Sequence, residues 1–297
     1  MTAPLVDDTL QLADGRTLAW AEFGAADGEP LFMFHGLPGS RLFSGLLVDA
    51  ADAHGVRIIA PDRPGFGKST FQPDRTFLMW ADDVAALADH LGIDRFFVAG
   101  ISGGGPYTLA VPHQLGARVR AAGVISGGGE MSTDDALEGM HAQNRAIFEI
   151  AKAGGPAGVA EAMKPMLEML EQPPDPATAD AGNEGLPEAD VELLARRPEI
   201  GEALRLDGIE ALRNGVDGAA YEACMFIRPW GFDVGEITVP VVIWHGDDDR
   251  NAPLSHAQAI AAAIPDAELI VWTGMGHLTA IDRLDDVFAH LLKVGSK

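Results

Sequence analysis

A single cysteine, Cys224, stands in the whole chain, so no disulfide can close within it. A reducing compartment fits that usage, and the cytoplasm is the expected location. Long apolar runs are missing too: nothing approaches the roughly 18 uninterrupted apolar residues of a membrane span. The first residues, Met1-Thr2-Ala3-Pro4-Leu5-Val6-Asp7-Asp8, have no basic start and no apolar stretch, so no signal peptide is expected. Positive charge is scarce, with 21 Lys and Arg against 44 Asp and Glu. The resulting −23 repels nucleic acid, anionic membrane surfaces and polyanionic substrates. A small neutral or apolar molecule is the expected partner. No His, Cys, Asp and Glu cluster has metal-ligand spacing beyond the Asp247-Asp248-Asp249 run, which reads as a turn. No metal and no cofactor are expected.

Glycine, by contrast, is abundant, at 35 of 297 residues. Five residues use it in an informative way: Gly100-Ile101-Ser102-Gly103-Gly104 follows the apolar run Arg95 to Ala99 and precedes Pro106-Tyr107-Thr108-Leu109-Ala110-Val111. A strand, a sharp turn bearing serine between glycines and a helix start make a nucleophile elbow, which lifts the hydroxyl clear of the sheet. With eight serines in the chain, chance placement gives ~0.1 such matches, so the pentapeptide alone is moderate evidence. The competing reading is a Gly-rich strand–helix turn of the dinucleotide-binding kind.

Around the elbow, strand and helix patterns alternate. Residues 9–13 and 16–23, split by Asp14-Gly15, read as a hairpin. Strands follow at Leu31–Phe34, Val56–Ala60, Arg95–Ala99 and Val119–Ile125, with helices expected near 41–54, 76–91 and up to 115. Such alternation predicts an α/β fold with a mostly parallel sheet and helices on both faces. It stops near Gly129. Residues 130–235 show helical periodicity and a Pro/Asp/Ala/Gly-rich stretch, Gln172 to Asp190, expected as a loop. Strand patterns resume at Val239–Trp244 and Glu268–Trp272, with helices near 255–264 and 283–293. The chain therefore divides into core (1–129), inserted helical cap (130–235) and core again (236–297).

A serine hydroxyl needs a base, and the base needs an orienting acid. The strand before His245-Gly246-Asp247-Asp248-Asp249-Arg250 offers three acids, and the strand before Gly274-Met275-Gly276-His277 offers a histidine. Read as Ser102, then an acid, then His277, the order is that of α/β-hydrolases. His245 is expected to fix the acid-bearing loop. Acyl transfer also needs two N–H donors for the developing oxyanion. Gly103 is one candidate, and Leu37 in His35-Gly36-Leu37-Pro38-Gly39-Ser40 is the other, because Pro38 has no N–H.

These motifs, with Asp62-Arg63-Pro64-Gly65-Phe66-Gly67-Lys68-Ser69, resemble the α/β-hydrolase superfamily, and within it bacterial capped Ser-His-Asp hydrolases of the esterase, non-haem haloperoxidase and iminopeptidase type. The resemblance covers residues 35 to 277 in order and implies an α/β-hydrolase fold. It also implies Asp249 as the acid, since similar proteins place it fifth in His-Gly-x-x-Asp. Dehalogenases and epoxide hydrolases of this superfamily carry aspartate where Ser102 stands. The His-Gly-Leu-Pro loop differs from the His-Gly-Gly-Gly of hormone-sensitive lipases, and iminopeptidases usually have tryptophan where Gly103 stands. Glycine there is expected to leave room for bulkier acyl groups. Carboxylic-ester hydrolysis through an acyl-enzyme is the leading expectation; perhydrolysis or haloperoxidase-like chemistry, peptidase activity and a non-catalytic receptor are the alternatives. From the cap, Trp230 and Phe232 are expected to face the pocket, while Met131, Met140, Met163, Met166 and Met169 are expected mostly to pack the cap itself.

Overall fold

Neighbouring residues of a strand point to opposite faces, and in the central strands both sets are apolar. In β3 (Glu29–Phe34), Leu31 and Met33 pack on one side, Phe32 and Phe34 on the other. Strands of this kind must be covered on both faces. The computed structural model describes residues 1–133, 135–172 and 185–296 and shows that cover. Strands β1 (Val6–Gln11), β2 (Thr17–Gly24), β4 (Val56–Pro61), β5 (Phe96–Ile101), β6 (Val119–Ile125), β7 (Val241–Gly246) and β8 (Glu268–Trp272) complete the sheet. Its order is β1-β2-β4-β3-β5-β6-β7-β8. β1 and β2 pair antiparallel, β2 meets β4 antiparallel, and every later pair is parallel.

On the face carrying Leu31 lie α1 (Val48–Ala53) and the last helix, Leu284–Val294, through Ala51, Val287 and Leu291. On the other lie α2 (Met79–His90), α3 (Gly105–Leu115) and the helix Leu254–Ala263, through Trp80, Leu109 and Ile260. The single helix expected near 41–54 is two pieces. Ser40 caps a 3-10 turn, Arg41–Leu46, its hydroxyl accepting from Leu42 N–H at 3.2 Å, and α1 follows.

Between β6 and β7 the described residues contain helices and no strand. α4 (Ala142–Glu171) bends at Gly155, whose φ of +59° and following Pro156 break the helical ladder. α5 (Glu188–Arg196), α6 (Pro198–Ala211) and α7 (Asp217–Phe226) follow. The two helices beyond β7 are then α8 (Leu254–Ala263) and α9 (Leu284–Val294). Small residues let α7 approach α4, with Ala219, Ala220 and Ala223 against Val159 and Met163. The loop expected from Gln172 to Asp190 lies outside the described residues over 173–184. Its end is corrected: Glu188 to Asp190 open α5, because Pro187 suits a helix start and two acids in the first turn complement the helix dipole.

Candidate active site

Ser102 follows β5 directly, with φ +54°, an uncommon conformation for a residue with a side chain. Steric contact explains its glycine neighbours. A Cβ on Gly100 would overlap the Thr108 hydroxyl, and one on Gly104 would sit 2.5 Å from the Phe34 carbonyl oxygen. The Ser102 turn leads into α3, so its N–H groups lack intrahelical partners.

Asp249 and His277 lie beyond the ends of β7 and β8. Asp249 Oδ1 accepts from the N–H groups of Asn251 (2.8 Å) and Ala252 (2.9 Å), and Oδ2 accepts from His277 Nδ1 at 2.7 Å. With the proton on Nδ1, His277 Nε2 carries the free lone pair. Asp247 instead accepts from Gly274 N–H, and Asp248 pairs with Arg250 at the surface. The three acids left open by spacing are thus sorted by geometry: Asp249 alone meets the histidine. His245 donates from Nε2 to the Ala252 carbonyl at 2.6 Å, within the acid's loop. Burial disfavours the His277 cation, but Asp249, its hydrogen bond and Asp190 outweigh that and raise the imidazole above its ordinary value. Burial alone would raise Asp249, yet His277 and the other donors hold it below the usual carboxylate range.

The Leu37 N–H is aimed by a buried charge. Arg63 donates to the carbonyls of His35 and, at 2.9 Å, of Gly36. Carbonyl and N–H of one trans peptide point oppositely, so fixing the Gly36 carbonyl on Arg63 turns Leu37 N–H the other way. Leu37 lies against Gly103, where a Cβ would stand 3.0 Å from Leu37 N and 2.8 Å from Leu37 Cβ. The expected extra room at Gly103 is therefore corrected: the missing side chain is filled by Leu37. Arg63 is held by Glu222 through bonds of 2.9 and 2.6 Å, both side chains being inaccessible to water. Losing either partner leaves a buried charge without its main counter-ion, at a cost of about 3–5 kcal/mol that at Glu222 is eased by the Tyr107 hydroxyl (2.7 Å) and by Arg75 (3.7 Å).

Asp190 was not legible as a site residue. Its buried carboxylate accepts from the N–H groups of His277 (2.9 Å), Leu278 (3.0 Å) and Thr279 (2.9 Å). Gly276 leaves the space this carboxylate occupies, since a Cβ there would overlap it. Arg63 had one signal, its place in the Asp62 to Ser69 motif; Glu222 had a weak one, an acid among Ala219, Ala220, Ala223 and Cys224.

Ser102, Gly103, Leu37 and His277 share a cavity of about 330 Å³. Met131, Met163, Met166, Phe148 and Phe226 contribute to its wall from the helical segment. Met140 packs beside it with Leu137, while Met169 is exposed. Trp230 and Phe232 do not line it. Trp230 stacks on Phe232 at 5.9 Å and meets Phe77 edge-on, because the chain has already rejoined the core below α7. Phe226, at the end of α7, is the aromatic that faces the cavity. Among the described residues no group of three or more His, Cys, Asp or Glu is placed to hold a metal, and no helix is long and apolar enough to cross a membrane.

An eight-stranded sheet of this order, with a strained serine, a histidine and an acid at its strand ends, defines a class. The sequence model of the alpha/beta hydrolase family matches residues 31–290, and the chain belongs to that family of hydrolases. It is 28% identical over 94% of its length to the dihydrolipoyllysine-residue acetyltransferase component of an acetoin cleaving system from Pseudomonas putida, spanning 66% of that protein. It is 27% identical to a 2-hydroxy-6-oxo-6-phenylhexa-2,4-dienoate hydrolase from Burkholderia cepacia, covering 88% of this chain and 85% of the relative. A thermophilic esterase from Thermogutta terrifontis shares the fold with a TM-score of 0.65 and 24% identity, over 97% of both chains.

Proposed function

We propose that the protein hydrolyses a carboxylic ester of a small, largely apolar substrate through an acyl-enzyme on Ser102. The observation that carries this reading is the Asp249–His277 bond of 2.7 Å on the cavity that Ser102 lines. His277 Nε2 takes the serine proton as Oγ attacks the carbonyl carbon, and the N–H groups of Gly103 and Leu37 receive the oxyanion. The same imidazolium then protonates the leaving alcohol. Water, deprotonated by His277, attacks the acyl carbon; the bond to Ser102 Oγ breaks as His277 returns the proton to Oγ, and the acid leaves. Residues 130–235 serve as the cap, roofing the cavity with Met131, Met163, Met166 and Phe226 and bracing the loops below it.

The Burkholderia relative is named for hydrolysis of a dienoate, a carboxylate substrate. A cavity wall with Asp207 and, among the described residues, no Lys or Arg suits an ester without a carboxylate better. Hydrolysis of p-nitrophenyl esters, dienoate turnover and peroxide-dependent halogenation measured on one preparation separate the chemistries. Ester turnover well above both others is expected; dienoate turnover above ester turnover would reject the proposal.

The pH profile follows from the imidazole. Only neutral His277 accepts the proton, and its folded value is raised above the ordinary ~6.5. The acid limb of kcat/KM for an uncharged ester is therefore expected above about pH 6.5. Activity that stays flat from pH 5 to 8 would remove His277 as the base.

Asp190 acts through His277 as a positioning residue. Asp190→Asn removes an anion that favours the imidazolium and leaves an amide among three N–H donors. The acid limb should move to lower pH, and kcat should fall roughly ten- to a hundredfold with little change in KM, as slight misplacement of a catalytic group does. A purely structural role would lower the amount of folded protein and leave the acid limb in place.

A further inference from the structure

Within the cavity wall one group has no partner suited to its charge. Asp207, on α6, is 3% exposed and lines the same cavity as Ser102 and His277. Its Oδ1 accepts both the N–H (3.0 Å) and the hydroxyl (2.6 Å) of Ser40. Neither donor carries a charge, and no described Lys, Arg or His forms an ion pair with Asp207. Arg41, the next residue after Ser40, is committed to Asp62, Asp7 and Glu210. Asp62 adds like charge from behind Ser40, and His277 stands on the shared cavity. From the packed helices, α4 and α5 turn Leu170 and Leu194 toward Gly208 and Gly201 of α6. Burial, against the Ser40 bonds, pushes the carboxyl up to about 7. A carboxylate in a largely apolar wall, met only by neutral donors from Ser40 and the Phe43 N–H, is costly, and it is relieved by a proton or by a cationic donor from a ligand.

We propose that Asp207 is a specificity residue that receives a protonated amine on the part of the ester remote from its carbonyl. This rests on the ester-hydrolase reading. The rest of the wall, with Leu204, Ile281, Met166 and Phe43, holds the apolar body that links amine to ester. The chain's net charge of −23 draws cations toward it and adds to the preference. The same placement disfavours anionic substrates, because a second carboxylate beside Asp207 has no described cation in the wall to offset it.

The test compares two alkyl esters of equal chain length, one ending in an ammonium and one in a methyl group, with acid release followed by titration. The ratio of their kcat/KM values cancels the titration of His277, which both need neutral. In the wild type the ratio should rise between pH 5.5 and 8.5, with its midpoint near 7, to about tenfold or more in favour of the ammonium ester, the strength of one charge-assisted hydrogen bond. Asp207→Asn keeps an oxygen for Ser40 and loses the charge, so its ratio should be flat with pH and no greater than one. Calorimetric binding of pentylammonium reads the same contact without turnover and should weaken at least tenfold in Asp207→Asn. A ratio that is flat in the wild type, or equal in wild type and variant, overturns the proposal, as does pentylammonium binding that ignores the substitution. Loss of ester turnover with Asp207-dependent ammonium binding intact would reject the ester reading and leave the amine site standing.

Discussion

Ser102→Ala should abolish ester turnover, leaving no more than a few per cent of wild-type kcat in a preparation free of host esterases. The hydroxyl is the only part of residue 102 removed, and the backbone at φ +54° has to be held for alanine as it is for serine. The fold should therefore survive. Thermal unfolding within a few degrees of the wild type is expected, because the change deletes one oxygen at the cavity edge and no core contact. The N–H groups of Gly103 and Leu37, which we propose as oxyanion donors, remain, so any residual rate measures stabilisation of the transition state without a nucleophile. Turnover that persists above a few per cent would mean another group attacks the carbonyl.

Asp249→Asn is expected to lower kcat by roughly 10²–10⁴ while KM changes little. The reason lies in the protons. The asparagine oxygen can still accept from Asn251 and Ala252 N–H, which turns its NH₂ group toward His277 Nδ1. An amide donor there forces the imidazole proton onto Nε2, where it blocks acceptance of the serine proton. The variant also loses the anion that stabilises the imidazolium formed in the transition state. Asp247→Asn and Asp248→Asn provide the comparison, since those carboxylates serve Gly274 and Arg250 at the surface. A larger loss in either of them would put the acid elsewhere.

Local signals carried the core. Continuous apolar runs at Leu31–Phe34 and Phe96–Ala99 and turn chemistry at Asp14-Gly15 depend on neighbours in sequence, so their elements are readable. Gly100 is readable for the same reason, since its overlaps involve Gly104 and Thr108 of the same strand–turn–helix unit, whereas Gly104 meets Phe34 of the adjacent strand and is readable only as part of the elbow motif. Contacts distant in sequence were not readable. Asp190 reaches a loop 87 residues away, and Glu222 meets Arg63 across 159 residues. Nothing in their own surroundings marks an acid as an acceptor for the N–H groups after Gly276. Trp230 misled because aromatic content near the rejoining point resembles a pocket wall. Its position was decided by where α7 ends, at Phe226, which periodicity places only to within a turn.

An acyl-enzyme on Ser102 is the claim on which the roles of His277, Asp249, Asp190, Gly103 and Leu37 depend. Labelling with a fluorophosphonate, followed by digestion and mass mapping, tests it most directly, since the reagent needs an activated nucleophile and an oxyanion site together. One adduct per chain is predicted, on the peptide that carries Gly100-Ile101-Ser102-Gly103-Gly104, formed slowly in Asp249→Asn and absent in Ser102→Ala. An unlabelled wild-type protein, or an adduct mapped to any other residue, would contradict the account.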